Sequence, residues 1–275
     1  MEEGVRIPYR YVVRMPYDRL SAEFYDLDKP IGRDYPDVYF VLDRLGGLPH
    51  HALVLEPAVG TGRAMIPILR AGRHVRGVDQ SRSMIERCES NLLGAGLQAE
   101  LKCGDFMDPV CVPPASCDAA ILTFGTLSLF EPGPASDAAL RALHRSLRPG
   151  GVLILDLYEP PEGARGERST PDDGLVETRS VKRHDGSSIE LLIRRTGSAD
   201  GRSVILRLGY LLKSAGGEAL AEEHEILVLW NLDRAMVRAA LHKAGFDPVV
   251  EFEHFGRGPV RSDECTPVGL VATKS

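Results

Sequence analysis

The stretch Leu55–Arg63 reads LEPAVGTGR, and its residue types narrow the chemistry it can support. Apolar HALV precedes it and AMIPILRAG follows, so a strand is expected to turn into a helix across Gly60 and Gly62. Glycine-bearing turns of this kind cradle nucleotide cofactors. A dinucleotide fingerprint needs a third glycine, where this chain has Met65, and a phosphate-binding P-loop needs a lysine that does not follow Gly62. Both of those ligands carry an anionic pyrophosphate, which the Glu56 carboxylate would repel. An acid at that place instead suits a ligand with an ammonium group, so the residues point to a cationic, adenosine-containing ligand.

The elements that must position this loop alternate. Strand-like HALVLE (51–56) leads through the loop into a helix reaching about Ala71, and HVRGVD (74–79) follows as a strand. A helix opens at Ser81, a suitable N-cap, and ends near GAG at 94–96. AELKCGD (99–105) and CDAAILTF (117–124) are further strands, a helix covers SDAALRALHRSL (136–147), and VLILDLY (152–158) is the fifth strand. Alternation at this spacing implies βαβ units and a doubly wound sheet. After a Pro/Gly-rich linker (159–173), four strand-like segments follow at 174–184, 187–196, 202–213 and 218–230. Their breaks, HDGS, GSADGR and SAGGE, have hairpin composition, which predicts an inserted antiparallel sheet. The α/β pattern resumes with a helix capped by Asp233, stapled by Leu232 and Val237 and closed by Gly245, then strands at 248–255 and 268–274. The expected division is an N-terminal helical cap (1–47), an α/β domain (48–158 and 231–275) of seven mostly parallel strands, and an antiparallel insertion (159–230).

Bulk properties set outer bounds. With 275 residues, 43% apolar and 26% charged, the chain can bury a full-sized core. A net charge of -6 without a basic stripe argues against a nucleic-acid partner. The five cysteines show no C-x-x-C pair and no metal-ligand spacing, which predicts reduced thiols, a cytoplasmic location and no metal. The MEEGVRIPYR start has no apolar core of a signal peptide, and no run reaches the roughly 20 residues of a membrane span.

Taken in order, LEPAVGTGR, VDQSRSM, GDF, DAAILTFGTLSLF and LRPGGVLILDLY resemble the successive motifs of class I S-adenosylmethionine-dependent methyltransferases, over about residues 35–158 and 231–275. The resemblance implies S-adenosyl-L-methionine as cofactor and S-adenosyl-L-homocysteine as product. It implies that the loop of Ala58, Gly60, Thr61 and Gly62 lies under the methionyl-ribose portion, with the glycines admitting close backbone approach. Glu56 would hold the amino group, and Asp79, 19 residues after Gly60, would accept the ribose hydroxyls. Gln80 and Met84 would lie against the adenine, Asp105 would accept its amine, and the Phe106 backbone N–H would address a ring nitrogen. Thr123 and Phe124 would stand at the mouth where transfer occurs.

Displacement at an activated methyl carbon needs positioning more than a catalytic triad, because good orientation alone supplies effective molarities of about 10⁵ M and above. The repeated pattern YDRLSAEFYD (17–26) resembles the N-terminal segment of small-molecule methyltransferases of the amino-sugar and glycine N-methyltransferase type. There, tyrosines close over the cofactor, which makes Tyr17 and Tyr25 candidate catalytic residues. Arg33 is a lesser candidate for the methionine carboxylate, and Arg63 is expected to face solvent or pair with an acid. In EEHEILVLW, alternation puts His224, Ile226, Val228 and Trp230 on one face and Glu223, Glu225, Leu227 and Leu229 on the other. If the first face lines the acceptor pocket, Trp230 is a wall and His224 a base. Tyr158 and Glu159 lie near the pocket by topology. Amino-sugar relatives place a histidine after the fourth strand where this chain has Ser128, so that base does not carry over.

The expected function is methyl transfer to a nitrogen or oxygen of a small molecule, with a homodimer contact through the insertion as a further expectation. A [DN]-P-P-[YFW] motif for nucleic-acid adenine is replaced by TFGT, and no paired-glutamate loop of arginine methylation is visible. A non-catalytic binder of the same ligand and a protein methyltransferase remain the alternatives.

Overall fold

The computed structural model describes residues 17–159, 176–256 and 266–275. In chain order the elements are α1 (Arg19–Asp28), α2 (Pro36–Leu45), β1 (Leu53–Pro57), α3 (Met65–Arg70), β2 (His74–Asp79), α4 (Arg82–Gly94), β3 (Glu100–Cys103), β4 (Cys117–Leu122), α5 (Pro134–Ser146) and β5 (Leu147–Glu159). Then come β6 (Val176–Lys182), β7 (Ser188–Gly197), β8 (Ser203–Lys213), β9 (Ala219–Trp230), α6 (Arg234–Ala244), β10 (Phe246–Glu253) and β11 (Thr266–Lys274). The first sheet has the order β10-β11-β5-β4-β1-β2-β3, and β6–β9 form a second sheet in sequence order. The expected seven strands and inserted antiparallel sheet are both present. Strand β11 runs antiparallel to both β5 and β10.

Strands β1 and β4 are buried along almost their whole length, as parallel strands covered on both faces must be. Core clusters lie on each side of the first sheet. One gathers Leu55, Leu153 and Leu155 with Leu140, Leu143 and Leu241 of α5 and α6. The other gathers Val54 and Ile154 with Val41, Ile66, Ile85 and Cys88 of α2, α3 and α4. Strand alternation therefore turns Glu56, Asp156 and Tyr158 toward the second side. The expected caps form: Ser81 Oγ accepts from the Met84 N–H at 3.1 Å, and the Asp233 side chain accepts from Met236 N–H at 2.8 Å. Gly245 closes α6 at φ +99°, in the left-handed region.

The inserted sheet keeps its own small core. Ile189, Leu191, Ile193, Leu208, Tyr210 and Leu227 pack against Phe24 of α1. Helix α1 is thus sandwiched between the insertion and α4, where Asn91 donates to Asp26 at 2.8 Å and Arg87 pairs with Glu23 at 3.1 Å. Among the described residues no helix is long and apolar enough to cross a membrane, and no His/Cys/Asp/Glu group is arranged to hold a metal ion. Cys88, Cys103, Cys111 and Cys117 are free thiols, while Cys265 and most of the expected linker lie outside the described residues.

Candidate active site

The loop after β1 alternates through the left-handed region, with φ +67° at Ala58, +57° at Gly60 and +89° at Gly62. Its two glycines serve different purposes. A Cβ on Gly60 would meet nothing within 4 Å, so the backbone there borders open space. A Cβ on Gly62 would stand 2.9 Å from Cys88 Sγ, so this glycine lets the loop pack on α4. The expectation that both glycines admit a ligand is sharpened accordingly.

Two carboxylates flank the loop in the fold, Glu56 on β1 and Asp79 at the end of β2. Glu56 is buried, and its Oε2 has no hydrogen-bond partner. Burial, reinforced by Asp37 and Asp79 and opposed by Arg63, pushes its carboxyl up to about 8. The hydroxyl of Thr61, wholly buried, also lacks a partner. Asp79 is oriented by the backbone: Oδ2 accepts from the Gly60 N–H at 2.8 Å and Oδ1 from the Ser81 N–H at 2.9 Å. Each oxygen keeps a second lone pair, which is what a pair of ribose hydroxyls requires. Burial raises the Asp79 carboxyl above its ordinary value. A buried acid with an unpartnered oxygen beside a side-chain-free backbone fits the cationic end of S-adenosylmethionine, and it is hostile to phosphate.

At the other end, the Gly104 N–H donates to the Asp79 carbonyl at 2.8 Å and joins the ends of β2 and β3. Asp105 and Phe106 follow directly after this junction, as Gln80 follows β2, and Met84 on α4 is buried. Asp105 Oδ1 accepts from the Met107 N–H at 2.8 Å, fixing the turn. The Phe106 ring lies edge-on to Phe130 with 6.0 Å between centroids and belongs to the core, so only its backbone remains for a ligand.

Thr123 and Phe124 follow the end of β4, where Phe124 and Gly125 adopt φ +62° and +68°. Asp156, buried on β5, imposes that turn by accepting from Phe124 N–H at 2.6 Å and Gly125 N–H at 2.7 Å. Burial, with Asp37 adding, pushes its carboxyl up to about 7 against those bonds. From Phe124 a row of rings runs to the start of α1: Tyr25 is edge-on to Phe124 at 6.2 Å, and Tyr17 is edge-on to Tyr25 at 6.1 Å. Burial drives the Tyr25 phenol up to about 12 and the Tyr17 phenol higher still. Both rings are therefore neutral hydrogen-bonding walls near neutral pH. Arg63 pairs with an acid, as expected, but in full burial: it grips Asp37 bidentately at 2.5 and 3.1 Å. Its guanidinium lies 4.7 Å from the Tyr35 ring centre and 4.6 Å from that of Phe124.

Several positions stand differently from the sequence reading. The face of β9 turned to α1 carries Glu223, Glu225 and Leu227, so the condition on which His224 and Trp230 depended is not met. His224 is half-exposed on the opposite face, with Nε2 2.8 Å from Glu222. Glu159 is engaged by Arg234, with Oε2 2.6 Å from Nη2 and Oε1 accepting the Arg234 N–H at 2.9 Å. Tyr158 does border the site, its ring lying against Gly125. Asp37, Tyr35 and Asp156 were not anticipated. The one available signal was Asp156, a lone acid inside the buried run VLILDLY.

A family model described as a methyltransferase domain matches residues 54–151. Residues 54–151, which hold this loop with Glu56, Asp79 and Asp105, are thus similar to a methyltransferase domain, and the strand order is that of the class I methyltransferase fold. Among curated relatives, a carboxy-S-adenosyl-L-methionine synthase of Shewanella woodyi is 30% identical over 150 residues, covering 50% of this chain and 58% of the relative. A cypemycin N-terminal methyltransferase of Streptomyces sp is 31% identical over 112 residues, 41% of this chain and 44% of its own length. The chain thus spans about half of the curated relatives it matches. Among solved structures, the sugar N-methyltransferase KedS8 of Streptoalloteichus sp superposes with a TM-score of 0.71 at 20% identity, covering 98% of this chain and 99% of that one.

Proposed function

We propose that this chain transfers a methyl group from S-adenosylmethionine to a small-molecule acceptor, at nitrogen in preference to oxygen. The observation that carries the cofactor half is Glu56, a buried acid with an unpartnered oxygen on the strand that leads into the Gly60 loop. When bound, S-adenosylmethionine supplies a methyl carbon already activated by its sulfonium. The work left to the protein is to hold, orient and exclude water. Glu56 takes the ammonium, Asp79 the ribose hydroxyls, Asp105 and the Phe106 backbone the adenine edge, and Gln80 and Met84 its faces. The Ala58–Gly62 loop lies beneath. Tyr17, Tyr25, Phe124 and Tyr158 form an aromatic wall that presents the acceptor's lone pair and keeps bulk water out.

Two similarities support nitrogen as the acceptor: one relative is named for methylation at an N-terminus, and one structural neighbour is a sugar N-methyltransferase. A second reading follows from the carboxy-S-adenosyl-L-methionine synthases. A product bearing an added carboxylate asks for a cation facing it, and the buried Arg63 is already gripped by Asp37. That favours plain methyl transfer.

The test is calorimetric binding of S-adenosylhomocysteine, followed by a methyl-release assay across amines and alcohols. Asp79→Ala should weaken binding by roughly 1.5–3 kcal/mol, the range for hydrogen bonds involving a charged group. Unchanged affinity in that variant removes the ribose assignment. Tight binding with no product from any acceptor favours a regulator over an enzyme.

A further inference from the structure

The middle of the inner face of the inserted sheet is apolar, while its edges carry charge: β6 sets Glu177 and Arg179 on it, and on β9 Glu223 and Glu225 face α1. The register sets Glu225 opposite Leu208 and Glu223 opposite Tyr210, so two acids stand among core side chains. Both turn to the amides at the start of α1. Glu225 Oε1 accepts from Tyr17 N–H at 2.6 Å and Asp18 N–H at 3.1 Å, and also from the Ser21 hydroxyl. Glu223 accepts from Leu20 N–H at 3.0 Å and Ser21 N–H at 3.2 Å. Asp18, the N-cap residue of α1, makes no side-chain cap bond of its own. The acids that cap the helix come from more than 200 residues along the chain.

Tyr17 is held from its other side as well. Ser81 Oγ donates to the Tyr17 carbonyl at 2.5 Å while accepting from Met84 N–H, and the Ser81 N–H bonds the Asp79 carboxylate. Tyr17 adopts φ +67°, where a residue with a Cβ is strained, so its conformation has to be imposed from outside. The imposing groups are one acid of the insertion and the serine that follows the ribose carboxylate.

We infer that Glu225 is a positioning residue of the cofactor site: by holding the Tyr17 backbone it hangs the Tyr17–Tyr25–Phe124 row over the Gly60 loop, and the inserted sheet is a working part of that site. The inference rests on reading the Glu56–Asp79 cleft as the S-adenosylmethionine site. Glu225 touches no reacting atom and acts only through Tyr17.

A double-mutant cycle on S-adenosylhomocysteine affinity tests it. Glu225→Ala should weaken binding about tenfold in the otherwise native chain, yet less than about twofold in a Tyr17→Ala background, because residues acting through one another are not additive. Glu225→Gln, which keeps a side-chain oxygen where Tyr17 and Asp18 donate, should recover most of the loss. Amide exchange at residues 17–22 should quicken in Glu225→Ala while exchange at residues 189–193 stays as in the native chain. Additive losses, or native affinity in Glu225→Ala, overturn the inference. Should Glu225→Ala not fold, the same cycle is run with Glu225→Gln, where a smaller loss that vanishes without the Tyr17 side chain supports it and an additive loss overturns it. If the native chain does not bind S-adenosylhomocysteine, the site reading falls and this inference with it; binding with additive losses removes this inference alone.

Discussion

Glu56 shows how a single residue type can exclude whole ligand classes. Its acid character and its place before the glycine loop were visible in the sequence, whereas its burial and unpartnered oxygen required the packed strand β1. A carboxyl pushed up to about 8 is mostly protonated at pH 7 in the ligand-free protein. Because the folded value lies above the ordinary 4.5, this group's contribution to stability is full below pH 4.5 and is lost as the pH rises to about 8. A bound ammonium reverses the preference and expels the proton. Calorimetry of S-adenosylhomocysteine at pH 7 in buffers of different ionisation enthalpy should therefore report proton release, with affinity rising as the pH climbs toward 8. Glu56→Gln should abolish the buffer dependence; a native chain with no buffer dependence would disprove the assignment. Asp79 was singled out for a different reason: it ends a strand 19 residues after Gly60, the place at which the resemblance implies an acid for the ribose.

At the scale of elements, helix α2 does more than cover the sheet. It carries Asp37 onto Arg63, and the pair is nearly inaccessible between the Tyr35 and Phe124 rings. Removing one member of a buried pair strands the other's charge, so Asp37→Ala should destabilise the fold by about 3–5 kcal/mol, measured by urea unfolding. A loss under about 1 kcal/mol would mean that Arg63 finds water and that the pair is not structural. The spacing of Val38, Val41, Leu42 and Leu45 is that of a helix face and marks α2 in the sequence. It could not show that Asp37, on the same helix, faces inward, because a lone acid on an amphipathic helix reads as solvent-facing until its partner is known. The turn after β4 is similar, since Phe124 reaches its left-handed conformation only because Asp156, 32 residues later, accepts its N–H.

Across the whole molecule, the insertion leaves and re-enters the α/β domain at one clasp. Glu159 ends β5 and Arg234 begins α6, and their bidentate contact, with Glu253 added at 3.0 Å, ties the two ends of the excursion together. Arg234→Ala should cost about 1.5–3 kcal/mol in urea unfolding, since it removes a bidentate charged donor from a buried carboxylate. Arg238→Ala, which removes a half-exposed partner of Glu251, should cost less than about 1 kcal/mol. Equal costs would show that the clasp is merely a surface pair. The sequence by itself determined the alternating strands and helices and the inserted antiparallel sheet, each of which depends on periodicity or turn composition within a few turns of chain. The Glu56, Gly60, Asp79 and Asp105 series was proposed through the resemblance of successive motifs. Only the tertiary structure decided which face of β9 turns inward, how α1 is capped and where Arg63 goes. Strand β9 is amphipathic in both directions, with apolar residues on each face. Its orientation is therefore set by α1, which packs on it from the opposite end of the chain, and no local pattern encodes that contact.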